Sequence, residues 1–157
     1  MELILQLPIL LFSIIFHEVA HGRMALRHGD DTAKRCGRLT FNPMAHIDPI
    51  GTVILPLICF WSGWPMFGLA KTVPVDPFSF HRPRKGLVQV AAAGPLSNLL
   101  LCVAAAVLLR LTLALPGDLQ FSMRTLRGVL WYAMNINLAL AFFNLIPIHP
   151  LDGSKIL

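Results

Sequence analysis

"SIIFHEVAHGRMA", residues 13–25, reads as a stretch of apolar helix with three ionisable side chains set in its middle: His17, Glu18 and His21. What they are for depends on where the helix lies. The chain has 157 residues, 55% hydrophobic and only 13% charged, and its mean hydropathy is +0.66. That is too apolar for a water-facing surface, so the chain reads as an integral membrane protein. Ionisable groups inside a membrane helix are costly and mark a functional site. His17-Glu18-Val19-Ala20-His21 is an HExxH pattern. Residues i and i+4 of a helix lie about 40° apart around the axis, so both imidazoles face one point. Two neutral imidazoles can hold zinc, and the adjacent Glu18 stands where it can take a proton from a bound water.

Four apolar runs surround this motif: Leu3 to about Ala25, Ile50 to about Trp61, Leu87 to about Leu115, and about Val129 to Ile148. The first, third and fourth are long enough to cross a hydrocarbon core of ~30 Å. The second holds about a dozen apolar residues, is interrupted by Pro56, and would reach only ~18 Å as a helix. The Gly- and Pro-rich stretch that follows it breaks helices. "GRLTFNP" (37–43) and "LAKTVPV" (69–75) have strand character, so a small hairpin or sheet is expected there.

Charge sets the orientation. Arg23, Arg27, Lys34, Arg35 and Arg38 follow the first run, and Lys71, Arg82, Arg84 and Lys85 precede the third. Dense basic clusters favour the cytoplasmic side. If both lie there, the second run cannot cross; it dips in and returns as a re-entrant segment. Backbone of that kind is tolerated at membrane depth only against protein or a wet cavity. The net charge of +5 is thus explained without nucleic acid. Cys36, Cys59 and Cys102 are widely separated and form neither a disulfide framework nor a cysteine metal site. Glu2 is the only early charge, so the N-terminus reads as a membrane helix rather than a signal peptide.

A catalytic zinc site needs a third protein ligand. The best candidate is Asp152, in the proline-broken stretch "FFNLIPIHPLDGSKIL" that also holds Asn144. A turn or helix cap at the membrane edge is the plainer role for Asp152-Gly153. For Asp152 to reach the histidines, the first and fourth runs must point the same way, which a re-entrant second run allows. In "AAAGPLSNLLL", Ala91 to Gly94 allow close helix packing. Asn98 there can donate to an oxyanion or hold an unwound substrate, or simply bond between helices. His46 in "FNPMAHIDPIGT" stands either as a partner or gate near the metal or as a satisfied interfacial histidine, and Asp48-Pro49 reads as a helix start. His28, His81 and His149 are read as non-ligating.

HEVAH, NPMAH, AGPLSN and NLIPIHPLDG, in this order and spacing, resemble the site-2 protease family of intramembrane zinc metalloproteases, over about residues 5–157. The likeness is greatest to the compact prokaryotic members without a PDZ domain. It implies a single, mainly α, polytopic core domain over 1–157. That core has three transmembrane helices, with a membrane-entering segment between the first two. It implies one zinc ion on His17, His21 and Asp152, with Glu18 as general base. It further implies that Asn98 and Asn144 shape the site and that Asn42 to His46 form the NPxxH element. The implied partners are a transmembrane protein substrate and the lipid bilayer; the implied place is a prokaryotic cell membrane, with the site near its cytoplasmic side. Many relatives read PPLDG where this chain has His149-Pro150-Leu151-Asp152-Gly153, and many carry a further helix after it. The competing reading is a proteolytically inactive metal-binding membrane protein or a transporter. Transport would favour several ligand clusters along a path, and a pseudo-enzyme would usually have lost Glu18.

Overall fold

The computed structural model describes residues 3–64, 71–114, 116 and 123–156. It is mainly helical. Helix α1 spans Leu3–Arg27, α2 Thr32–Arg35, α3 Leu55–Trp61, α4 Pro83–Leu113 and α5 Arg124–Leu145. Helices α1, α4 and α5 are long and apolar enough to cross a membrane, the make-up of a multi-pass membrane protein.

Helix α4 shows how the bundle is built. Leu96, Leu100, Val103, Val107 and Leu111 form an exposed stripe at helical spacing. The opposite face buries Ala91, Gly94, Asn98, Cys102 and Ala105. These small side chains let the backbones of α1 and α5 approach closely, which is how helices associate where lipid is as apolar as they are.

Helices α1 and α5 run parallel, with α4 antiparallel to both. Asn137 of α5 donates to Ser13 Oγ of α1 at 2.9 Å, and farther along both helices His17 and His21 meet the segment after α5. Val90, early in α4, meets His21, late in α1. The C-terminal end of α4 is tied to the start of α5 by Arg127 Nη2 donating to the Thr112 carbonyl at 2.7 Å.

The chain between α1 and α4 leaves and returns at one end of the bundle, where His81 N–H bonds the His28 carbonyl at 3.0 Å. No described residue in that segment belongs to a spanning helix. The second apolar run instead forms wide π turns over Pro49–Ile54, opened by the Asp48 cap, and then the seven-residue α3. Pro56 cannot donate to the helix ladder, which explains the irregular turns before it.

The expected β-strands are not found: the described residues contain no strand. Across 37–46 side chains bind the backbone one group at a time. Arg38 Nη1 donates to the Ala45 carbonyl, His46 Nε2 donates to that of Thr40 at 2.9 Å, and Asn42 caps the 3₁₀ turn Pro43–Ala45. These local bonds wind the loop instead of pairing it. Of 69–75, Leu69 and Ala70 lie outside the described residues. Residues 71–80 run as a strap that ends in the 3₁₀ turn Pro77–Ser79. The strap is tied at isolated points: Lys71 N–H to the His46 carbonyl at 2.9 Å, Val73 N–H to Glu18 Oε2 at 2.7 Å and Asp76 N–H to Asp30 Oδ2 at 2.7 Å. Pro74 has no N–H to extend a ladder. Phe80 anchors the end of the strap against Ala25 and Val90.

Candidate metal centre

The two imidazoles of the HExxH motif converge as helical spacing requires: His17 Nε2 and His21 Nε2 lie 2.9 Å apart. The third group arrives from 131 residues beyond His21. After α5 the chain passes a cis His149–Pro150 bond and turns through a 3₁₀ segment, Asp152–Lys155. Gly153 permits the turn, since a Cβ there would collide with the carbonyls of Leu145 and Ile146. Asp152 Oδ2 then lies 3.1 Å from each histidine Nε2, and all three residues are buried.

A second contact fixes the chemistry of His21. Its Nδ1 lies 2.7 Å from the Val90 carbonyl. A carbonyl only accepts, so Nδ1 carries the hydrogen and Nε2 presents a lone pair. His21 Nε2 and Asp152 Oδ2 therefore face each other lone pair to lone pair at 3.1 Å, which calls for a cation or a proton between them. Tetrahedral ligands at zinc bond lengths would stand ~3.3 Å apart, so the donor spacing of 2.9–3.1 Å fits such an ion. Burial raises the Asp152 carboxyl pKa; where a proton fills that gap, the hydrogen bonds and charges of His17 and His21 outweigh burial and hold the group below the ordinary carboxylate range.

Helix α4 shapes the room for this cluster. A Cβ on Gly94 would collide with His21 Nε2 and lie 2.5 Å from His17 Nε2. Lys155 Nζ stands 3.9 Å from Asp152 Oδ1, on the side away from the imidazoles. Beside the cluster opens a cavity of about 830 Å³, whose walls include Glu18, Thr72, Val73, Asn98, Asn144 and Asp152. That is near the upper end of the ~300–1,000 Å³ common for ligand pockets.

The remaining residues singled out from sequence divide into two groups. Asn98 is 0% exposed, and neither of its side-chain polar atoms has a partner. Asn144 also lines the cavity, with Nδ2 bonded to the Leu140 carbonyl at 2.9 Å. His46 and Asn42 do not line it. Buried His46 ties its own loop to Thr40, and exposed Asn42 accepts from Met44 N–H at 3.1 Å. Sequence reasoning missed Gly94 as the space-maker, although its signal was present in the small-residue run. It also missed Lys155, the charged residue three beyond Asp152. The Val90 carbonyl and Val73 amide carry no sequence signal, because every residue has the carbonyl and every residue but proline has the N–H.

Over 149 residues, 94% of its length, the chain is 40% identical to a Bacillus subtilis (strain 168) protein named "Putative zinc metalloprotease YwhC". The match covers 65% of that relative, so the chain spans just under two thirds of its length. No family model and no solved structure matches the chain.

Proposed function

We propose that the chain is the core of an intramembrane zinc metalloprotease of the site-2 type, which hydrolyses peptide bonds within or near transmembrane segments of membrane proteins. The observation that carries this reading is the convergence of His17 Nε2 and His21 Nε2, within the membrane-length helix α1, with Asp152 Oδ2 from the segment after α5. The similarity to a relative named as a zinc metalloprotease supports it.

His17, His21 and Asp152 would hold the ion, with Val90 fixing the His21 tautomer. A bound zinc would supply Lewis acidity and lower the pKa of water at the site. Glu18, on the cavity wall next to His17, takes the proton of the attacking water and returns it to the leaving amine. Asn98 brings a buried, unpartnered amide to the same cavity. Its N–H is a donor for the oxygen that gains charge in the transition state, and leaving that donor unmade in the resting site is costly. A substrate helix hides its amides within itself and must unwind before it can lie in the cavity. The imidazole and carboxylate donor set favours zinc among common divalent ions.

Glu18→Gln tests this reading. The variant should keep its zinc and lose ~10²–10⁴-fold of its cleavage of a transmembrane reporter, the usual worth of a general base. Cleavage at the wild-type rate would overturn the assignment.

A further inference from the structure

We infer that the backbone N–H of Val73 is a positioning group for Glu18: the strap over the cavity holds the carboxylate that is to act as base. This rests on the proposed protease reading. Glu18 projects from α1 into a wide cavity, where a free glutamate would sample several rotamers and lose more entropy on each productive approach. The structure instead commits one oxygen, Oε2, to the Val73 amide at 2.7 Å, across a separation of 55 residues. A hydrogen bond to a charged acceptor is among the strong ones. The other oxygen is then the one left to take a proton.

The donor itself is held firmly. Val73 is only 7% exposed, and its Cγ1 packs so closely over Gly22 that a Cβ there would lie 2.9 Å from it. Pro74 restricts residue 73 to extended backbone. On either side, the strap is tied by Lys71 N–H to the His46 carbonyl and by Asp76 N–H to the buried Asp30 carboxylate. The loop around His46, outside the cavity, thus reaches the Glu18 carboxylate through the Lys71 and Val73 N–H groups of one strap. A substrate segment seated against Thr72 to Val75 would bear on the same amide that holds the base.

The test compares Val73→Ala, which trims the side chain but keeps the N–H, with Val73→Pro, which removes the N–H. A third variant carries an ester in place of the Val73 amide, deleting the donor while retaining the valine side chain. Zinc content, kcat and KM are measured on a transmembrane reporter in detergent micelles. Relative to Val73→Ala, the proline and ester variants should lose on the order of tenfold in kcat, a part of the general-base contribution. KM should stay within about twofold, and one zinc should be retained per chain. If proline disturbs folding or zinc content, the ester variant decides. Turnover by the ester variant equal to that of Val73→Ala would overturn the inference while leaving the protease reading intact. Wild-type cleavage by Glu18→Gln would overturn both.

Discussion

Gly94 is the residue on which the site's geometry turns. Alanine there is favourable for an isolated helix by ~1 kcal/mol, yet its Cβ would meet the Nε2 atoms of both His17 and His21. Gly94→Ala should therefore fold and span normally while its zinc content falls well below one per chain, as read by metal analysis beside apo-protein unfolding; full zinc loading would refute the steric account. Asp30 makes a prediction about pH. It is 0% exposed, and although burial raises its pKa, bonds from Thr32 and the Asp76 N–H outweigh this and hold it below its ordinary value. A carboxylate depressed in the folded state stabilises above its unfolded pKa of ~3.9 and loses that contribution as pH falls through the lower folded value. Acid should therefore weaken the wild type below about pH 4, and Asp30→Asn should flatten that part of the profile. The variant should also cost ~1.5–3 kcal/mol at neutral pH. That His17, His21 and Asp152 come together was legible at this scale because side-chain chemistry writes such donors into the sequence. The place of His46 was left open, because the same residue type closes a loop as readily as it serves a site.

At the scale of elements, length and hydropathy were enough to place α1, α4 and α5. The basic clusters led to the expectation that the chain between α1 and α4 returns to the side it left. Cysteine labelling can check this in a background lacking the three native thiols. Probes at Arg35→Cys and Arg84→Cys should react from one membrane face, and at Arg110→Cys, near the far end of α4, from the other. Reaction of the first two from opposite faces would mean that the second apolar run crosses. The strands were misread because β propensity in 37–43 and 71–75 is overridden by side chains that capture the backbone one group at a time. Propensity describes a residue's fit to a sheet and says nothing of a carboxylate that waits for its amide. Between α1 and α5, the Ser13–Asn137 bond should show a coupling of ~0.6 kcal/mol in a double-mutant cycle with alanine, the typical worth of such bonds in membrane helices.

For the molecule as a whole, the candidate metal centre gathers α1, α4 and the segment after α5 at one point. Zinc that binds the folded chain alone stabilises it by mass action, about 2.7 kcal/mol at a hundredfold excess over Kd. Chelation should lower the unfolding temperature and speed hydrogen exchange first in 146–156, where Asp152 and the Gly153 turn depend on the cluster for attachment. Exchange there that ignores zinc would count against Asp152 as a ligand. The parallel course of α1 and α5 could be reasoned from the sequence, because one ion had to be reached from both. The strap's route over the cavity could not, because it rests on backbone N–H groups that every residue but proline carries.

The sequence separation of 135 from His17 to Asp152 also orders the site in time. A ribosome adding ~5–20 residues per second takes on the order of ten seconds to travel that distance. Throughout that interval α1 carries two imidazoles and a glutamate but no carboxylate ligand from the later segment, and the Gly153 turn that presents it has not been made. The three donors can meet only after the segment following α5 has been made, so the candidate centre is the last part of the bundle to be completed.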